Sequence, residues 1–445
     1  MSLRDYQQYI YDECQNAIRQ GHKGILVCLP CRSGKSYIFA EMIRNLKQGY
    51  ALVLAHRREL LRQHEELLTS IPHDKYRLES VFTEVNHVSE HEPPTIIIID
   101  EAHLSEAASY KRVCESYPSA IRIGFTATPQ RLSGEPLSLY SVLIQGIGTK
   151  ELIERKAISE FDYYAPDIGL DLSAVSTVAG EYNNKELTDV MCQSRLYGDF
   201  IKAYQSLADG KQAVAYCVSK KHAVSVCNAF NESGVSAVEI DSSDSVSERI
   251  AVINAFKNGE FKILCNCNLF SEGITLPEAD VVMMLRPTQS LALFIQQGMR
   301  ALTPREGKRA VVIDCVGNYQ RHGLLDDDRE WSINGRVKHK VTNPDGSFSI
   351  RTCSECFRVY PSRMSVCPYC GTAYVVKGRE LRQVKEVQLR QIKAEEAEAL
   401  KREKKKMRME VGRCKTMADL WKIAHERGYA PGWVYITAQK KGIRR

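Results

Sequence analysis

At residues 24–30 an apolar run, Gly-Ile-Leu-Val-Cys-Leu-Pro, passes through a Cys-Arg-Ser-Gly turn into a helical pattern over Tyr37 to Leu46. A short buried strand that hands the chain to a helix through a Gly/Ser turn is half of a βαβ unit. The pattern repeats. Strand-length apolar runs stand at Ala51–Ala55, Ile96–Asp100 and Ile121–Thr126, with helical stretches between them. Such alternation predicts an α/β fold built on a parallel, doubly wound sheet. A second series starts near Ser194. Its strands are predicted at Ala213–Val218, Ser236–Ile240, Phe261–Asn266, Val281–Leu285 and Ala310–Asp314, with helices such as Lys221–Ser233 and Ser247–Asn258. Two α/β domains follow, at 1–158 and 194–322. A linker at 159–193 joins them, and an acidic, turn-rich connector opens at 323–349.

Size and composition exclude whole classes. A chain of 445 residues has room for about three domains. With 44% hydrophobic and 26% charged residues it has an ordinary globular balance. Apolar runs such as Val281–Leu285 are far short of the ~20 residues of a membrane span. The opening Met1-Ser-Leu-Arg-Asp-Tyr6 has no apolar signal region, so a cytoplasmic protein without membrane attachment is expected. In that compartment the 15 cysteines are not expected to form disulfides, and most read as small core residues.

Charge is unevenly placed. Residues 377–445 hold 20 basic and 9 acidic side chains, a surplus of 11 in a chain whose total is +7, so the remainder is net acidic. A basic segment on an acidic body points to a polyanion such as nucleic acid, or else to a solvated helix face. The segment 377–412 reads as one charged helix and 413–445 as a small basic, aromatic helical cap. Lys404, Lys405 and Lys406 lie in the densest basic cluster, and Trp433, with Tyr429 and Tyr435, is placed either to stack on bases or to fill the cap's core.

Two motifs carry chemistry. Leu29-Pro-Cys-Arg-Ser-Gly-Lys-Ser36 follows a strand and opens a helix, the setting of a Walker A phosphate loop. Backbone N–H groups around Arg32, Ser33 and Gly34 would cradle phosphate, Lys35 would neutralise it, and Ser36 would hold Mg²⁺. Ile96-Ile-Ile-Ile-Asp-Glu-Ala-His103 supplies the second half. Its buried strand would fix Asp100 on Mg²⁺ and leave Glu101 to activate the attacking water. Together the two motifs predict ATP hydrolysis.

With Asp100-Glu-Ala-His103 on the page, the chain resembles the DEAH-box helicases of superfamily 2, over about residues 3–320. Arg4-Asp-Tyr-Gln7 resembles the adenine-reading motif of that family. Leu54-Ala-His-Arg-Arg-Glu-Leu60, with His56 and Arg57, resembles its nucleic-acid-gripping motif Ia. Thr126-Ala-Thr-Pro129 is similar to motif III, which implies that His103, Thr126 and Thr128 couple the nucleotide to domain movement. In the second domain Ser219 ends a stretch similar to motif IV, and Asn268 to Pro277, with Gly273 and Thr275, resembles motif V. Gln296 to Pro304 resembles motif VI, with Gln296 and the arginine finger Arg300 as catalytic groups. The RadD-like and phage or prophage helicases, which share the ending Val316-Gly-Asn318, are the nearest relatives this implies. The resemblance implies two tandem RecA-like domains and ATP with Mg²⁺. Its implied track is single-stranded, forked or branched DNA, ahead of RNA, in repair, recombination or phage replication. A monomer with protein partners in those processes is expected, and no wedge hairpin is evident. The chain departs from the family where Arg32 replaces a glycine, Thr275 an aspartate and Thr303 a second arginine. Arg305 is a candidate to stand in for that arginine. These departures keep a second reading open, a nucleic-acid-remodelling scaffold with weak ATPase activity.

Cys353-Ser-Glu-Cys356 and Cys367-Pro-Tyr-Cys370 form a pair of CxxC knuckles ten residues apart. Four thiolates satisfy tetrahedral Zn²⁺, so 350–376 is read as a structural zinc ribbon that touches nucleic acid or simply staples the chain.

Overall fold

The computed structural model describes residues 2–56, 58–241, 243–267, 279–335 and 349–374, then Cys414, 416–427 and a few positions from Val434 to Ile443. Met1–Tyr374 forms one unit and Val375–Arg445 another.

The first unit holds two six-stranded sheets, parallel throughout. In chain order the strands of the first are β1 (Gly24–Cys28), β2 (Ala51–Ala55), β3 (Tyr76–Ser80), β4 (Ile96–Asp100), β5 (Ile121–Thr126) and β6 (Val142–Gln145). Their spatial order is β3-β2-β4-β5-β1-β6. Alternate residues of β4 face opposite cores: Ile96 and Ile98 pack on one side, Ile97 and Ile99 on the other. All five residues of β4 are buried. A strand covered on both faces needs a continuous apolar run, which is what made β1, β2 and β4 readable from sequence.

The second sheet begins earlier than the sequence reading placed it. After β7 (Glu160–Tyr164) come a short hairpin of β8 (Thr177–Val178) and β9 (Glu181–Tyr182), then β10 (Ala213–Tyr216), β11 (Ala237–Ile240), β12 (Ile263–Asn266), β13 (Val281–Met284) and β14 (Arg309–Asp314). The sheet order is β11-β12-β10-β13-β14-β7. The segment read as a linker thus supplies an edge strand, with Ala310 opposite Phe161 and Val312 opposite Tyr163. Both sheets are therefore doubly wound and parallel, the fold of tandem RecA-like domains.

α1 (Asp5–Arg19) precedes β1, and α2 (Lys35–Arg44) and α3 (Arg58–Leu68) fall between strands of the first sheet. Lys220–Glu232, Val246–Lys257 and Leu291–Gly298 are helical in the second domain. In the third region β15 (Ile350–Thr352) pairs antiparallel with β16 (Val359–Pro361). This cysteine-bearing ribbon docks on the free edge of β7: Tyr164 and Arg358 form an antiparallel bridge, and the Ala165 N–H donates to the Phe357 carbonyl at 2.9 Å. In the second unit Met417–Arg427 is helical, and Leu420 and Ala424 pack with Cys414, Val434 and Ala438 in a small core. The predicted charged helix, with Lys404, Lys405 and Lys406, lies outside the described residues, as does Trp433. No helix among the described residues is long and apolar enough to cross a membrane.

Candidate nucleotide site and cysteine cluster

The loop after β1 delivers the chain to α2 through two left-handed residues, Arg32 (φ 65°) and Gly34 (φ 80°). At Gly34 the conformation needs glycine for a second reason. A Cβ there would meet the Gln7 Nε2 at 2.4 Å. Gln7 holds the loop from below, donating to the carbonyls of Ser33 (3.0 Å) and Gly34 (3.4 Å), while its Oε1 accepts from the Arg4 N–H at 2.9 Å. The Tyr6 hydroxyl also donates to Ser33 O, at 2.8 Å. Gln7 is thus committed to the phosphate loop as well as lining the cavity.

β4 ends in Asp100, and Glu101 turns away with φ 52°. Asp100 is buried, and its Oδ2 lies 3.1 Å from the Nε2 of His64 on α3. Its Oδ1 accepts from the Glu101 N–H at 3.0 Å. Burial alone pushes the Asp100 carboxyl up, but His64 and the Lys35 ammonium bring it net below the ordinary value. His64 belongs to no motif read from the sequence. Only the fold brings it from α3 to Asp100, 36 residues on in the chain.

The second domain faces this site with the helix Leu291–Gly298 and the 3-10 turn Met299–Leu302. Gln296 reaches Glu101 across the cleft, Nε2 to Oε2 at 3.5 Å. His103 Nδ1 lies 3.4 Å from Glu101 Oε2 and 3.2 Å from Thr126 Oγ1, which accepts in turn from the Thr128 N–H at 3.1 Å. A continuous polar chain therefore runs from Gln296 through Glu101 and His103 to the end of β5. Lys35, Ser36, Asp100, Glu101, Gln296 and Arg300 all line one cavity of about 630 Å³.

The cavity fits a nucleoside triphosphate with its metal. Ser33, Gly34 and Lys35 of the loop all line the opening. Lys35 Nζ rests on the carbonyls of Leu29 (3.3 Å) and Pro30 (3.2 Å), a position from which it can swing to phosphate. Ser33 Oγ is buried and has no hydrogen-bond partner among the described residues. Ser36 and Asp100 line the same opening and are oxygen donors present there for a divalent cation.

Other predicted positions behave differently. Ser219 caps the helix Lys220–Glu232, its hydroxyl accepting from the His222 N–H at 3.3 Å. His56 follows β2 at the sheet end and Arg57, Gly273 and Thr275 fall outside the described residues. Arg305 pairs with Asp280 at 2.6 Å and is not among the residues that line the cavity.

A second cleft, of about 920 Å³, opens between the domains and is lined by His103, Thr128, Arg131, Gln289, Ser290 and Arg321 among others. The β8–β9 hairpin stands at its rim, a hairpin that sequence reasoning did not find. Glu181 anchors it, accepting from the Thr288 hydroxyl (2.6 Å) and the Gln289 N–H (2.9 Å). Its turn, Ala179 and Gly180, is left-handed at both positions.

The thiols of Cys353, Cys356, Cys367 and Cys370 lie within 4.8 Å of one another. The sulfurs of Cys353 and Cys370 are 3.5 Å apart and those of Cys356 and Cys367 3.7 Å. Four ligands at ~2.3 Å from a tetrahedral zinc have their sulfurs at about that separation. The donor set is compatible with zinc. Hydrogen bonds from Thr372 draw the Cys370 thiol down to about 6, toward the thiolate a metal needs.

Comparison with known proteins agrees with this geometry. The family described as helicase conserved C-terminal domain matches residues 196–303, and that described as type III restriction enzyme, res subunit, matches 1–93 and 77–131. A 51.5 kDa protein of a Lactococcus phage is 32% identical over 407 residues, which covers 89% of this chain and 87% of the phage protein. A Saccharomyces cerevisiae protein described as "Putative ATP-dependent helicase IRC3" is 32% identical over 360 residues, covering 71% of this chain and 51% of the yeast protein. Among solved structures, the ATP-dependent Type ISP restriction-modification enzyme LlaBIII bound to DNA superposes with a TM-score of 0.53 at 16% identity, over 74% of this chain and 29% of that one.

Proposed function

The chain belongs to the superfamily 2 helicases, which hydrolyse ATP, and from that premise we propose that it is a DNA translocase of the DEAH-box, RadD-like and phage type. The observation that carries the reading is the convergence of Lys35, Asp100 and Glu101 from one domain with Gln296 and Arg300 from the other on one cavity. In this reading Lys35 and Ser36 bind the phosphates, and a Mg²⁺ ion held by Ser36 and Asp100 would neutralise their charge. Glu101 orients the attacking water and takes its proton. Arg300 faces the charge that develops on the transferred phosphoryl group. Because the donors come from two bodies, binding favours closure of the cleft and hydrolysis removes that preference, a hinge cycle. His103, Thr126 and Thr128 carry the cycle to the second cleft, where Arg131, Arg321 and Gln289 are placed for a phosphate backbone. DNA as the track is supported by the basic tail and by the DNA-bound LlaBIII fold. The four cysteines hold a structural zinc, and the protein works as a monomer.

The test is steady-state ATPase activity with no nucleic acid, then with single-stranded, duplex and forked DNA and with RNA. Stimulation by a DNA form and not by RNA supports the reading. Stimulation by RNA alone makes it an RNA helicase. A near-zero rate on every substrate favours the scaffold reading, for which Thr303 in place of an arginine is the specific observation.

A further inference from the structure

Arg32 does more than replace a glycine. Its backbone sits in the left-handed region, φ 65°, which costs a non-glycine residue roughly 1 kcal/mol or more. Its side chain leaves the phosphate loop and crosses the cleft. Nε donates to the Met299 carbonyl at 2.9 Å, and Nη2 donates to the Arg300 carbonyl at 3.0 Å. These carbonyls stand where the helix Leu291–Gly298 runs into its terminal 3-10 turn. Carbonyls at a helix C-terminus lack intrahelical partners and carry the negative end of the dipole, so a cation is favoured there. A planar guanidinium making two bonds fixes direction as well as distance. Arg32 and Arg300 line the nucleotide cavity together. Burial, with the Arg300 charge after it, pushes Arg32 down to about 10, and its guanidinium is committed to the two carbonyls.

We propose that Arg32 is a positioning residue for ATP hydrolysis: from the phosphate loop it holds the Met299–Arg300 turn so that the Arg300 guanidinium faces the nucleotide cavity. The proposal rests on the reading of Arg300 given above. It makes Arg32 act on the chemical step through Arg300 and not on nucleotide affinity. Placement of a catalytic group within a fraction of an ångström is worth a sizeable factor in rate.

Glycine takes φ 65° freely, so Arg32→Gly removes the side chain and relieves the backbone at once. The fold is expected to persist, with a melting temperature near that of the parent. In full-length protein, Arg32→Gly should lower kcat roughly tenfold, short of the 10³–10⁵ that an arginine finger itself contributes in other nucleotidases. KM for ATP and the affinity for ADP should stay within about twofold. Arg32→Lys, able to make one bond of the two, should fall between. In an Arg300→Ala background the same Arg32→Gly change should cost nothing further, because the group it positions is gone. An unchanged kcat in Arg32→Gly overturns the proposal. So does a raised KM at constant kcat, which would make Arg32 a shaper of the loop only. An equal tenfold loss in the Arg300→Ala background also overturns it. Full turnover in Arg300→Ala would sink the reading of the site and this proposal with it, whereas slow Arg300→Ala beside full-speed Arg32→Gly sinks this proposal alone.

Discussion

In the first sheet the reactive groups leave from strand ends. The phosphate loop follows β1, Asp100 closes β4 and Thr126 closes β5. In the second sheet the groups facing the same cavity, Gln296 and Arg300, come from a helix and the turn behind it. Strand-end groups are held by ladder hydrogen bonds on both sides, β1 between β5 and β6, and β4 between β2 and β5. Helix-borne groups move with the helix. In the proposed function this division gives the first sheet the task of holding the nucleotide and the second that of responding to it. Lys35→Ala and Arg300→Ala break the comparison most directly. Each should reduce ATP turnover at least ~100-fold, the scale on which a positioned electrostatic donor acts. They should differ in binding: Lys35→Ala should also weaken a fluorescent ATP analogue, while Arg300→Ala should leave its affinity within a few fold. Equal binding losses would erase the division of labour.

Two of the buried histidines, His64 of the first domain and His222 of the second, are used in opposite ways. His64 of α3 meets a carboxylate, Asp100. His222 of the second domain is buried against Tyr197 and Phe200, its Nδ1 accepting from the Val218 N–H at 3.2 Å. A partner behind a metal ligand typically tunes metal affinity 10–100-fold. His64→Ala should therefore raise the Mg²⁺ concentration that half-saturates the ATPase roughly tenfold, with the same shift in calorimetric Mg·ADP binding. A turnover loss without any shift in metal requirement would show that His64 only fills space.

His222 affects stability instead. Burial pushes it down to about 4, against about 6.5 in an unfolded chain. The folded state keeps the ring neutral, so the unfolded state binds the proton first. Stability from this group is whole above pH 6.5 and is lost as pH falls from there to about 4. Denaturant unfolding across that window should show a loss of roughly 2–3 kcal/mol in the parent and a flatter profile in His222→Gln. Equal slopes would remove His222 as the cause.

The sequence told most where burial is complete and least at the edges. β1, β2 and β4 are uniformly buried and their apolar runs were read to within a residue or two. The strands missed in the two six-stranded sheets, β3, β6 and β7, all border a sheet. With a neighbour on one side only, Tyr-Arg-Leu-Glu-Ser and Glu-Phe-Asp-Tyr-Tyr keep polar residues that hide the strand. Site chemistry followed the same logic. Lys35 and Asp100 sit in local motifs whose spacing reports their function. His64 lies 36 residues before Asp100 and Arg32 meets a carbonyl 268 residues away, contacts that only the fold creates. The left-handed Arg32 does explain why a glycine was expected there.

The two edges of the second sheet sharpen this last point. β11 ends the sheet beside β12, while β7 is covered by the cysteine ribbon. Arg358 of the ribbon is the main side-chain link. It pairs with Asp162 at 3.1 Å, donates to the Tyr164 hydroxyl, and lies 5.4 Å from the Tyr164 ring centroid and 4.8 Å from that of Tyr369. Both charges are largely shielded, at 27% and 13% side-chain exposure, so the pair is screened less than a surface ion pair. A ribbon fixed by a metal presents Arg358 ready-made, since Cys356 precedes it by two residues and Phe357 between them is held at φ 57°. Removing zinc and removing Arg358 should then act on the same joint. Arg358→Ala should cost about 1 kcal/mol, which is about 2–4 °C in melting temperature for a domain of this size. Chelation should lower the melting temperature of the parent by more, because it releases the whole ribbon, and should add little in Arg358→Ala if docking is how zinc stabilises the motor. Fully additive shifts would mean that zinc staples the ribbon to itself alone. Metal analysis that finds no zinc in the purified protein would leave the docking to Arg358, the β7 bridge, the Thr352–Tyr319 hydrogen bond and the packing of Ile350 and Val359 on the second domain's core.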